Sequence, residues 1–174
     1  MNAPVKKSGG SFRTRYADDV PVIGWREWLA IPSLGVDRIK AKIDTGARTS
    51  SIHAFNVQPF TERGAPHVSF VICPEQHRRH PEIDCVAEVL DERLVKSSTG
   101  HLQHRYVIEV EIDLGGLIWP IELTLARRDS MGFRMLIGRE AVRSRFLIDS
   151  NRSFLSSRCY ADVSTILLSE SRKI

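Results

Sequence analysis

Ile39-Lys40-Ala41-Lys42-Ile43 alternates apolar and cationic side chains and then stops at Asp44-Thr45-Gly46-Ala47, and no other stretch constrains the chain as much. Period-two alternation is the pattern of a strand with one buried face. The Asp-Thr-Gly that follows reads as a tight turn, so a carboxylate is delivered at the point where regular strand pairing ends. Gly46 permits positive φ or close approach of a second backbone. The Thr45 hydroxyl and the neighbouring amides are the groups able to hold the Asp44 carboxylate in one direction. Taken alone, Asp-Thr-Gly is ordinary turn chemistry, and its surroundings decide whether the acid is anything more.

Those surroundings are strands. Ile23 to Ile31 is extended, Pro32-Ser33-Leu34-Gly35 turns, and Val36 to Ile43 returns as the strand that carries Asp44. Ser51 to Val57 and His67 to Ile72 are extended; Pro74 to Asp84 is a charged, histidine-rich loop, and Val86 to Val95 is extended again. Ser97-Ser98-Thr99-Gly100 is a turn signal, so Glu92 to Arg105 forms a projecting hairpin. Tyr106 to Ile112, Leu114-Gly115-Gly116 and Leu117 to Leu125 form the clearest β-hairpin of the chain. Met135-Leu136-Ile137-Gly138 is a short apolar strand, Arg139 to Phe146 has room for about two helical turns, and Leu147-Ile148-Asp149 is one more strand. The expectation is an all-β domain with one short helix after Leu136-Ile137-Gly138-Arg139.

The 174 residues suit one domain. We expect a flexible leader over 1–20, the domain over 21–150, and an extension over 151–174 that packs on the domain or on a second copy. With 42% hydrophobic and 26% charged residues the chain is globular in composition. Lys+Arg 25 against Asp+Glu 21 leaves +4, too little to point to nucleic acid. Lys6 and Lys7 are followed by no apolar signal-peptide core, and no run reaches the ~18 apolar residues that cross a membrane. Three cysteines at scattered positions, Cys73, Cys85 and Cys159, fit reduced thiols and a cytoplasmic setting.

Lys40 to Ser50, Arg105-Tyr106-Val107-Ile108, Trp119 to Leu125 and Met131 to Arg139 together resemble a known family. A strand ending in D-T-G-A, then a projecting hairpin, a second hairpin, and an apolar-apolar-Gly-Arg segment before a short helix is the order of retropepsin-like aspartic peptidases. The likeness is closer still to the bacterial group labelled ATP-dependent zinc proteases, the RimB-like proteins, over about residues 22 to 150. It implies an acid-protease β-barrel in which Leu136-Ile137-Gly138-Arg139 lies beside the D-T-G loop.

The resemblance also implies a site. Asp44, Thr45 and Gly46 would be catalytic. Ala47, Arg48, Ser98, Thr99, Gly100, Ile137 and Gly138 would line the peptide, with the Glu92 to Arg105 hairpin closing over it as a flap. Aspartic peptidases need two carboxylates sharing one proton, and the chain has one D-T-G, so a homodimer pairing Asp44 with its counterpart is implied. Arg48 stands where viral members have an acid, and Lys42 shares strand parity with Asp44; two cations there favour ionised carboxylates, so an active enzyme would work at acidic pH or turn these side chains away. A second reading keeps the fold without catalysis, as a module partnering a RimK-type ATP-grasp glutamate ligase.

The group's label finds little support in motifs. The chain has no H-E-x-x-H zinc helix and no G-x-x-x-x-G-K-[ST] phosphate loop. Cys73, His77, His80 and Cys85 have ligand-like spacing, but a polar loop with incidental cysteines describes them better, and His101 and His104 read as exposed hairpin residues. We expect no metal and no cofactor.

Overall fold

The computed structural model describes residues 20–76, 80–96, 102–127 and 132–156. Its first surprise is that the expected opening strand breaks at Trp25. β1 (Val22–Gly24) pairs in parallel with β12 (Leu147–Asp149), Val22 opposite Leu147, whereas β2 (Arg26–Ile31) runs antiparallel to β3 (Val36–Asp44). The break goes with a long-range contact: the Trp25 amide donates to the Arg152 carbonyl at 3.0 Å, while its carbonyl accepts from the Ile43 amide of β3 at 2.9 Å. A single 3-10 turn over Pro32–Leu34 joins β2 to β3.

β4 (Ser50–His53), β5 (Phe55–Glu62), β6 (Ala65–Ile72), β7 (Ile83–Glu88), β8 (Asp91–Lys96), β9 (Leu102–Leu114), β10 (Leu117–Ala126) and β11 (Met135–Gly138) complete the strands among the described residues. The main sheet runs β10-β4-β11-β3-β2-β9-β8, and β9 also pairs with β10. Pairing therefore runs round to its own start. The return between β2 and β9 rests on one register pair, Ala30 opposite Asp113, and an even barrel would need that edge paired along its length. The expected barrel is thus a curled sheet with a thin seam, in an all-β domain.

Three segments depart from their sequence reading. Val86 to Val95 divides into β7 and β8, which enter different sheets. Ser51 to Val57 divides at Ala54 into β4 and β5, and β5 runs on to pair with β6 around Arg63-Gly64, a two-residue turn in which both residues have positive φ, 50° and 84°. Arg-Gly is a weaker turn signal than Asn-Gly, and most of β5 is exposed, so alternation did not mark it. The helix α1 (Arg139–Val142) is one turn rather than two; Ser144 adopts φ 62°, and the Trp119 indole N–H donates to the Ala141 carbonyl at 3.0 Å, tying the short helix to β10.

The core is one cluster. Ile31, Ile39, Ile52, Ile108, Ile112, Leu123, Met135 and Ile137 are fully buried, each stabilising the fold by roughly 1.5–3 kcal/mol. Along β3 the inward residues are Ile39, Ala41 and Ile43, which leaves Lys40, Lys42 and Asp44 on the outer face. No helix among the described residues is long and apolar enough to cross a membrane.

Candidate active site

β3 ends at Asp44, and the loop beyond it is closed by its own aspartate. Asp44 Oδ1 accepts from the Gly46 amide at 3.1 Å and the Ala47 amide at 3.2 Å, while the Ala47 amide also lies 3.2 Å from the Asp44 carbonyl. Charge-assisted bonds of this kind fix a carboxylate in direction. Oδ2 has no hydrogen-bond partner among the described residues. Asp44 is half-buried, so that oxygen is presented at the surface of the single chain.

β11 holds the loop from the other side. Gly138 stands opposite Asp44 in a parallel register. Its amide donates to the buried Ser50 Oγ at 3.1 Å, and the next two amides, Arg139 and Glu140, donate to the carbonyls of Ala47 (2.9 Å) and Arg48 (3.2 Å). A Cβ on residue 138 would lie 2.5 Å from the Thr49 carbonyl carbon and 2.6 Å from the Arg48 oxygen. Both are backbone atoms, so only glycine lets the strand come this close. The D-T-G loop and Leu136-Ile137-Gly138-Arg139 are therefore one unit.

The other expected site residues fall as follows. Thr45 is exposed and its hydroxyl does not hold the Asp44 carboxylate; the two amides do that instead. Ala47 is half-buried, and Arg48 is exposed, as is Lys42. Among the described residues neither cation forms an ion pair with Asp44. Ile137, opposite Ile43, is fully buried in the core, whereas Leu136, opposite Lys42, is half-buried and shares the face of Asp44. Strand parity alone could have selected Leu136. The stem of the projecting hairpin is the β8–β9 ladder from Asp91 opposite Val107 to Lys96 opposite Leu102. Ser98, Thr99 and Gly100 lie outside the described residues.

Sequence reasoning missed two polar anchors. Ser50 reads as one of three consecutive hydroxyl residues, yet it accepts the Gly138 amide from a buried position. Glu27, in an apolar strand, is completely buried and ties the chain beyond β12 to β1: it accepts from the amides of Gly24 (2.6 Å), Leu155 (2.8 Å) and Ser156 (3.2 Å) and from the Ser156 hydroxyl (2.7 Å). Its signal is negative, an acid at an inward position of an alternating strand.

The Cys/His spacing is not assembled into a metal site among the described residues, and His77 lies outside them. Cys85 is buried, with its thiol 3.6 Å from the Ile83 carbonyl and 3.8 Å from the Leu34 carbonyl. Burial, and then the charge of Asp84, push its pKa from 9.0 up to about 11. A thiol must lose its proton to bind a metal, so this environment opposes ligation.

An acid presented from a loop trapped under a neighbouring strand puts the domain in the retropepsin-like class. Residues 22–159 match the family described as retropepsin-like aspartic endopeptidase RimB, and the chain belongs to this RimB-like family. It is 51% identical over 138 residues to a protein of Shewanella halifaxensis named probable alpha-L-glutamate ligase, a match that covers 79% of this chain and 30% of that protein. A Desulfotalea psychrophila protein of the same name is 47% identical over 128 residues, with 74% and 28% covered. The chain thus spans less than a third of these relatives. A crystal structure of a Legionella pneumophila protein of unknown function shares the fold, with TM-score 0.66 and 23% identity over 78% of this chain and 98% of that one.

Proposed function

We propose that this chain is a retropepsin-like aspartic peptidase in which Asp44 from each of two copies forms the catalytic dyad. The observation that carries the reading is the Asp44 carboxylate itself, held by two amides through one oxygen and open at the other. In the dyad one carboxylate is ionised and one protonated. The ionised member takes a proton from water as the water oxygen attacks the scissile carbonyl carbon, and the protonated member gives its proton to the carbonyl oxygen. The resulting diol collapses as the now ionised carboxylate takes a hydroxyl proton and the now protonated one gives its proton to the amine nitrogen, which leaves as the C–N bond breaks. No metal or cofactor enters these steps.

Thr45, exposed in the single chain, is free to bond across the dimer axis, and Gly46 allows the two loops to approach. Ala47, Arg48 and Gly138, with Ser98, Thr99 and Gly100 from the flap, would border the peptide. A cytoplasmic setting fits Cys73 and Cys85, which are buried and in no disulfide among the described residues.

The relatives' name favours a second reading. A domain that makes up less than a third of probable glutamate ligases can serve such a ligase without catalysis, as a binding or regulatory module of an ATP-grasp enzyme. One variant separates the two. Asp44→Asn keeps size and one acceptor oxygen but cannot take the proton. It should abolish cleavage of a peptide library assayed from acid to neutral pH, by on the order of 10²-fold or more, while sedimentation still shows a species of twice 19.7 kDa. Wild-type protein that sediments as the monomer and cleaves nothing, yet binds a glutamate ligase equally well with Asn at 44, would leave the second reading in place.

A further inference from the structure

A cleft of about 600 Å³ is lined by the β4–β5 corner, the stem of the β8–β9 hairpin and the end of β10. It shares no lining residue with the segment from Asp44 to Thr49. Its polar wall includes Gln103, His104, Arg105, Tyr106 and Arg127, and among the described residues its lining contains no Asp or Glu. A recess with cationic walls and no acid of its own attracts anions.

Arg105 is the informative member. It stands directly opposite Arg93 in the β8–β9 ladder, and the two guanidinium groups are treated differently. Arg93 is satisfied by two carboxylates, Asp91 and Glu122, each at 2.7 Å. Among the described residues Arg105 has only a neutral partner, the Gln103 side-chain oxygen at 2.8 Å, and its Nε is buried with no hydrogen bond. Burial without an acid partner also pulls its pKa below the usual arginine value. A buried donor left unmet on a charged group is costly and calls for an explanation. His104 does not relieve it, because its Nε2 faces Glu92 at 2.9 Å. The two Nη groups of a guanidinium form a fork that matches the two oxygens of a carboxylate.

We propose that this cleft is a carboxylate-binding site anchored by Arg105, separate from the Asp44 loop. Gln103, whose amide oxygen is engaged by Arg105, turns its NH₂ into a second donor for the ligand, and the Tyr106 ring supplies an apolar wall. The site uses none of Asp44, Thr45 and Gly46, although Gln103, His104 and Arg105 are part of the hairpin read as the flap.

The test is titration of the full chain with citrate, as a free carboxylate, and with acetyl-Asp-Asp-Asp-amide, as a carboxylate on a peptide, at matched ionic strength. We expect saturable binding, a shift of the Arg105 Nε–Hε resonance, affinity about tenfold or more weaker in Arg105→Gln, and unchanged binding in Asp44→Asn. If citrate alone saturates, the ligand is a small free carboxylate; if the peptide binds at least as tightly, the carboxylate is carried on a peptide. Either result supports the site. Absence of saturation by both probes at up to about 10 mM, an equal shift with sodium chloride, or undiminished binding by folded Arg105→Gln overturns it. Should Arg105→Gln fail to fold, the Nε–Hε resonance of the wild-type chain decides alone.

Discussion

Asp44 and Glu27 are both carboxylates held by backbone amides, and they are held for opposite ends. Glu27 is sealed in the core and uses both oxygens, accepting four donors from Gly24, Leu155 and Ser156. Asp44 uses one oxygen for the amides of Gly46 and Ala47 and leaves the other at the surface. A buried charge is tolerable only when its lone pairs are filled, so saturation marks Glu27 as a structural clasp. Incomplete saturation at a half-exposed position leaves Asp44 able to meet a proton, a water or a second carboxylate. Each carboxylate also lies beside a glycine that backbone presses upon: a Cβ on Gly24 would fall 2.5 Å from the Arg152 oxygen, as one on Gly138 would from the Thr49 carbonyl carbon.

The comparison can be pressed by mutation. Gly138→Ala should do the most damage, because it pushes β11 off the loop and weakens three amide bonds at once; we expect a loss of about 3 kcal/mol in urea unfolding together with any hydrolysis. If the variant is as stable as wild type, the clamp on the Asp44 loop is not what holds it. Glu27→Gln should follow, at about 2–3 kcal/mol, since the new NH₂ faces amide donors inside the core. A neutral result there would mean that the segment from Arg152 to Ser156 contributes nothing to stability.

Asp44→Asn should cost only about 1 kcal/mol, the scale of a local cap. A loss as large as that of Glu27→Gln would erase the distinction between clasp and open acid. The last effect concerns Cys85. Its pKa is raised in the folded state, from 9.0 to about 11, so the unfolded chain releases this proton more readily. The contribution to stability is whole below about pH 9 and is lost as pH rises toward about 11. Alkaline unfolding scans should show a shallow decline over that window that is missing in Cys85→Ala; identical slopes would reject it.

Much of the site could be read along the chain. Alternation from Ile39 to Ile43 placed Asp44 on the outer face at a strand end, and the apolar-apolar-Gly-Arg segment pointed to the neighbour that clamps it. Parity was available but not used at Leu136, which shares the face of Asp44 while Ile137 goes to the core. The β5–β6 hairpin escaped because Arg63-Gly64 is a weak signal and most of β5 faces solvent.

What the sequence determined by itself is local: strand periodicity, the turn at Asp44-Thr45-Gly46, the Gly115-Gly116 hairpin, and the residue types able to carry acid chemistry, all set by interactions a few residues apart. The tertiary structure decided what depends on distant pairs. It broke the first strand at Trp25 to meet Arg152, joined Glu27 to Ser156 across 129 positions, brought Gly138 to Ser50 across 88, and left Arg105 without the acids that Arg93 obtained. Such contacts are chosen by the packing of whole strands and by the need to satisfy every buried polar group, and neither is visible in the order of neighbouring residues.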